Sequence, residues 1–166
     1  DSKGLVTEYY GNPLGNIRHK TTKDPDFRSK HGLQEQPIIA LLPGSREQEI
    51  KHMLTPMVVA ASRLQGYLIC VSQTMGIENE VLEKYIPKEL RPQVKIISES
   101  TYQLLLQSEI AIVASGTATI ECALLNTPMV VCYKTSALNY AIAKQIITVP
   151  FISLPNLILS KGAVPE

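Results

Sequence analysis

At 166 residues and 45% apolar content, the chain is long enough to bury one continuous core. Sixteen basic residues against fifteen acidic ones leave a net charge of +1, which supplies no overall field to attract nucleic acid. The three cysteines, Cys70, Cys122 and Cys132, have neither an even count nor C-x-x-C spacing, and His19, His31 and His52 are scattered. A disulfide framework and a zinc site are therefore disfavoured, and a reducing, cytoplasmic setting is expected.

Residues 1–36 are polar and irregular, with Gly11, Pro13, Gly15 and a charged run from Arg18 to Lys30, and they read as a leading segment or interdomain linker. From residue 37 to 166 short apolar runs alternate with segments of helical period, the pattern of a parallel sheet covered by helices. Strands are predicted at Ile38 to Leu42, Tyr67 to Val71, Val94 to Ile97, Ile110 to Ala114 and Met129 to Tyr133, with a sixth short run around Phe151 to Ser153. Ile50, Met53, Leu54, Met57, Val58, Ala61 and Leu64 form one apolar stripe, predicting a helix from Arg46 to Leu64 that Gly66 ends. Ser45 with Gln48 and Ser100 with Gln103 have capping-box spacing, Thr117 precedes a third helix, and Ser136 is placed to cap a fourth. The expected fold class is α/β: a doubly wound parallel sheet in a single Rossmann-like domain.

In such a sheet, ligands collect where the strands end and helices begin, because unpaired N–H groups point into the crevice. Two loops qualify. Pro43-Gly44-Ser45-Arg46 follows the first strand; Gly44 permits close backbone approach and Arg46 can grip a phosphate with two donors, although a plain turn before a capped helix explains the same residues. Glu47 and Glu49 suit the helix dipole but repel an anion unless they point away. Ala114-Ser115-Gly116-Thr117-Ala118-Thr119 is the second loop, small enough to admit a diphosphate against its amides. Glu121 lies one turn further on the side of Thr117, where a carboxylate can accept from ribose hydroxyls; a small-residue helix start packed on the sheet is the alternative.

Both loops follow parallel strands and so emerge on one sheet edge. Neither matches G-x-G-x-x-G or the G-x-x-x-x-G-K-[ST] phosphate loop, which disfavours a dehydrogenase or P-loop NTPase. Lys134, after another strand, reaches the same edge or solvent. Asn156 sits in a Pro-stiffened loop, as a site carboxamide or a turn asparagine. The longest uncharged stretch, Gln145 to Ser160, is broken by Pro150 and Pro155, so a spanning helix is not expected; core, an interdomain surface or a face for acyl chains are its readings.

Leu41-Leu42-Pro43-Gly44-Ser45-Arg46, Ser115-Gly116-Thr117-Ala118-Thr119-Ile120-Glu121, Thr127-Pro128-Met129-Val130-Val131, Tyr133-Lys134 and Ser153-Leu154-Pro155-Asn156 together resemble lipid-A-disaccharide synthase, an inverting glycosyltransferase of the two-Rossmann-domain GT-B type. The resemblance runs from residue 9 to the end. It implies one half of a GT-B enzyme that transfers 2,3-diacylglucosamine from its UDP conjugate to 2,3-diacylglucosamine 1-phosphate, with no metal and no cofactor. By the same resemblance Arg46 and the amides of Ser115, Gly116 and Thr117 hold phosphate, Gly44 and Ser45 belong to the same UDP-sugar site, Glu121 holds ribose, Asn156 lines the site, and Lys134 fills a basic position.

Tyr10-Gly11-Asn12-Pro13-Leu14 departs from the family pattern, with Asn12 where a histidine is expected. Asp1 and Val164-Pro165-Glu166 read as cut ends, and the amino-terminal domain that carries the proposed general base is expected to be missing. The full enzyme is expected to act as a peripheral protein at the cytoplasmic face of the inner membrane. Two other readings fit the same scaffold: another GT-B-type enzyme such as a UDP-N-acetylglucosamine epimerase, or a non-enzymatic nucleotide-binding or interaction domain.

Overall fold

The computed structural model describes residues 13–98, 100–134 and 150–166. Five parallel strands, β1 (Ile38–Leu42), β2 (Leu68–Ser72), β3 (Val94–Ile97), β4 (Ser108–Ala114) and β5 (Met129–Cys132), lie in the order β3-β2-β1-β4-β5. β1 is therefore central and all five of its residues are buried. Its side chains alternate between two cores, as the strand period demands. Ile39 and Leu41 join the core beneath α3 (Glu47–Ala61) and α4 (Asn79–Tyr85), while Ile38, Ala40 and Leu42 join the opposite core beneath α5 (Thr101–Gln107) and α6 (Ala118–Leu124). The sheet is thus wound in both directions from β1, as the strand pattern predicts.

The apolar stripe of α3 is buried as its spacing requires: Ile50, Leu54, Val58 and Ala61 are 0% exposed. Full burial of each large aliphatic side chain contributes about 1.5–3 kcal/mol relative to exposure. Pro56 lies within this helix on its exposed side, where it removes one intrahelical amide donor. The helix stops at Ala61 rather than Leu64, because the following amides of Ser62, Arg63 and Leu64 turn back onto the carbonyls of Val58, Ala60 and Ala61. Gly66, at φ +84°, then reverses the chain towards β2.

Three local expectations are corrected. Neither Ser45 nor Ser100 makes a side-chain cap: extended Arg46 is the N-cap of α3, and Gln103 turns away from the α5 terminus to bond Thr22 and Asp24. No strand forms around Phe151 to Ser153; Ser153 instead starts α7 (Leu154–Leu159), whose first turn accommodates Pro155 because that position needs no amide donor. Leading residues 13–36 are also less irregular than their polarity suggests. They form a 3-10 turn (Pro13–Asn16), α1 (Ile17–Lys20) and α2 (Phe27–Lys30), and they place Ile17, Phe27 and Leu33 in the core. A four-residue helix with one buried side chain leaves no periodic signal to read. Tyr10 to Asn12 and Ser136 lie outside the described residues.

After α7 the chain is fixed by one buried carboxamide. Asn156 is 0% exposed; its Oδ1 accepts from the amides of Ala163 (2.7 Å) and Val164 (2.9 Å), and its Nδ2 donates to the Val164 carbonyl (2.9 Å) and Glu166 (3.0 Å). The Pro165 carbonyl then accepts from the Val131 amide of β5 at 2.8 Å. Asn156→Ala orphans several of these groups at about 1–3 kcal/mol each, so the expected loss is about 3 kcal/mol in urea unfolding. A loss below about 1 kcal/mol would show that the terminal turn is not held by this amide.

Candidate functional site

β1 is the strand from which the winding reverses, so the crossovers leaving β1 and β4 diverge onto opposite faces. A crevice opens between their loops at the carboxyl edge of the sheet, where open α/β sheets bind ligands. Here it is a cleft of about 380 Å³, lined by Pro43 to Arg46 and Glu49 on one side and by Ala114 to Ala118 and Glu121 on the other. The two loops expected to converge do so. Gly44, Ser45, Arg46, Ser115, Gly116, Thr117 and Glu121 all line this one space.

Gly44 has φ +119°, a conformation that side chains rarely adopt. That turn lets Glu49 fold back under the loop. Its Oε2 accepts the Ser45 amide at 2.9 Å and its Oε1 accepts Arg46 Nη1 at 2.9 Å. Glu49 therefore does not point away from the loop; it occupies the donors. Glu47 does turn outward, to Lys84 at 3.7 Å and the Tyr85 hydroxyl at 3.3 Å.

On the β4 side the Ser115 amide extends the sheet by donating to the Cys132 carbonyl at 2.9 Å, and the Ser115 hydroxyl donates to the Ile152 carbonyl at 3.1 Å. Both donors of Ser115 are thus engaged in holding the loop. Glu121 sits one turn into α6, half-buried, with its Oε1 3.4 Å from the Tyr102 hydroxyl. Burial raises its carboxyl above the ordinary glutamate value, against the Tyr102 hydroxyl, which works in the other direction.

Two of the nine candidate residues lie outside the cleft lining. Lys134 is exposed beyond β5, and Asn156 is buried within its own network. Glu166 completes that network. Burial alone would raise its carboxyl, but the bonds it accepts from Ser153, Ile152 and Asn156 outweigh this and lower it. Sequence reasoning missed Ser72, Thr74 and Thr101, which also line the cleft. Ser72 and Thr101 hydroxyls are 2.7 Å apart, and Thr74 Oγ1 donates to the Gly44 carbonyl at 3.2 Å. Their signal was present: hydroxyl residues at and just beyond the end of β2 and at the start of α5 fall on the same sheet edge.

The sequence matches the family described as lipid-A-disaccharide synthetase over residues 1–166. A lipid-A-disaccharide synthase of Syntrophus aciditrophicus (strain SB) is 35% identical over 98% of this chain and 44% of its own length. That of Pseudomonas putida is 31% identical over 100% of this chain and 45% of its own length. Among solved structures, S. aureus MnaA in complex with UDP covers 90% of this chain and 43% of that one, with a TM-score of 0.55 and 12% identity, a likeness of fold. Sheet order and cleft together define a Rossmann-like, doubly wound α/β unit with a ligand crevice at the carboxyl edge of its sheet. The chain belongs to the lipid-A-disaccharide synthetase family, and it spans about 44% of the length of the curated relatives it matches.

The environment of Glu121 is open to direct measurement. A carbon-detected NMR titration is expected to give a midpoint above that of an ordinary glutamate, and Tyr102→Phe should move it higher still, because a bond favouring the charged form is lost. Folding then makes protonation easier. This group by itself lowers stability as pH rises from its unfolded pKa through its folded one, a slope that Glu121→Gln should remove. A midpoint at or below the ordinary value would contradict the buried setting.

Proposed function

We propose that this chain is the donor-binding part of a glycosyltransferase that moves 2,3-diacylglucosamine from UDP to 2,3-diacylglucosamine 1-phosphate, forming the lipid A disaccharide. The observation that carries the reading is the meeting of the Gly44–Arg46 and Gly116–Thr117 loops in one cleft with Glu121, in a chain of this family. The diphosphate would lie between Arg46 and the Gly116 and Thr117 amides, where a guanidinium and backbone N–H groups can share its oxygens. Glu121 would accept from the ribose hydroxyls. When the sugar carbon is attacked, the bond to the diphosphate oxygen breaks and negative charge grows on departing UDP, which Arg46 stabilises.

An inverting displacement also needs a base at the attacking hydroxyl. That base is assigned to the part of the relatives that this chain does not match, so the 166-residue chain is proposed to bind nucleotide without making disaccharide. Lys134 and Asn156 take secondary parts in this reading: Lys134 as a cation at the same edge, and Asn156 as the residue that fixes the segment touching Ser115. Lipid donor and acceptor would bring the complete enzyme to the cytoplasmic face of the inner membrane as a peripheral protein. Among the described residues no helix is long and apolar enough to cross a membrane.

Calorimetric titration with UDP tests the proposal. Selective binding over ADP is expected, with Arg46→Ala and Glu121→Ala each weakening it about tenfold or more, the worth of a lost charged hydrogen bond. Equal affinity for UDP and ADP, or indifference to both substitutions, would refute the assignment of the cleft.

A further inference from the structure

Glu49 presents to the Gly44–Arg46 loop what an arriving phosphate would present. Its two carboxylate oxygens are divided between the loop amide of Ser45 and the guanidinium of Arg46, each at 2.9 Å. The fold makes room for this arrangement. A Cβ at position 44 would stand 2.7 Å from the Glu49 Cβ, so glycine there is what allows the acidic side chain to tuck beneath the loop. The carboxylate also lies in the first turn of α3, where the helix dipole favours negative charge. It lines the cleft itself, whereas its neighbour Glu47 turns to Lys84 and Tyr85.

From this geometry we infer that Glu49 is an internal stand-in for the donor's phosphate: it neutralises the anion cradle when the cleft is empty and is displaced when a diphosphate binds. The inference rests on the nucleotide reading of the cleft. The pair is weak enough to exchange, since the Arg46 side chain is 80% and that of Glu49 37% exposed. A diphosphate brings more charge and more acceptor oxygens to the same two donors, so it takes them over. Displaced Glu49 then remains beside the bound anion and repels it, which speeds the departure of UDP as well as limiting its affinity. Glu49 is thus a specificity and release residue that acts only on ligands carrying phosphate.

Titration of the full 166-residue chain with UDP and with uridine decides the matter. Glu49→Gln keeps the side-chain shape and removes the charge; it is expected to bind UDP about five- to tenfold more tightly, while uridine affinity stays within about twofold. Glu49→Ala, which cannot occupy the cradle at all, should tighten UDP in the same direction, and the amide NMR spectrum of each variant reports its fold. UDP affinity that is unchanged or weaker in both variants, with Arg46→Ala still weakening the wild type, overturns the stand-in role and leaves the nucleotide reading in place. Equal tightening of uridine overturns it too, as a general change in the cleft. Failure of the wild type to bind UDP, or its indifference to Arg46→Ala, overturns the nucleotide reading and this inference with it.

Discussion

The constraint on which the rest of the structure depends is the position of β1 at the centre of a parallel sheet. Parallel strands need crossovers, and crossovers are right-handed, so a chain that moves to one side of β1 and later to the other must place its helices on opposite faces. α3 and α5 are separated in this way. The loops at the ends of β1 and β4 are consequently neighbours in the sheet that are pulled apart above it, and the cleft is the space between them. No residue was needed to create the crevice; residues determine what it holds.

Electrostatics within the cleft are more balanced than its basic loop suggests. Arg46 is the cation at its mouth, yet Glu49 engages it and Glu121 faces the space from α6. The two carboxylates differ in setting. Glu49 is bonded to a cation and an amide, so its charge is compensated, whereas Glu121 has the neutral Tyr102 hydroxyl beside it and is shifted by burial. A basic loop can therefore carry acidic residues when the backbone bends enough for one of them to serve as its counter-ion.

The carboxy-terminal turn reaches the cleft without lining it. Glu166, itself held by Asn156, fixes Ile152 and Ser153 through their amides, and the Ile152 carbonyl receives the Ser115 hydroxyl. Rigidity at the Ser115 side of the cleft thus draws on a turn that follows it by about forty residues in sequence. This coupling gives Asn156 a physical reason to matter that differs from contact with a ligand.

Sequence alone determined the elements whose side chains repeat over many residues. Alternating apolar runs gave the five strands to within two residues at either end, the 3–4 spacing from Ile50 to Ala61 gave the long helix, and strand-then-loop position brought Arg46, Thr117 and Glu121 to one edge. Periodicity is local, so it survives without knowledge of the neighbours. Tertiary structure alone decided which donors were already engaged: Gln103 bonding the leading segment rather than capping α5, Ser115 bound to Cys132 and Ile152, Asn156 closed on the terminal turn, and Glu49 folded under Gly44. Each depends on a partner distant in sequence or on a single backbone angle, and a hydrogen bond's choice between partners is settled only when both are brought within about 3 Å.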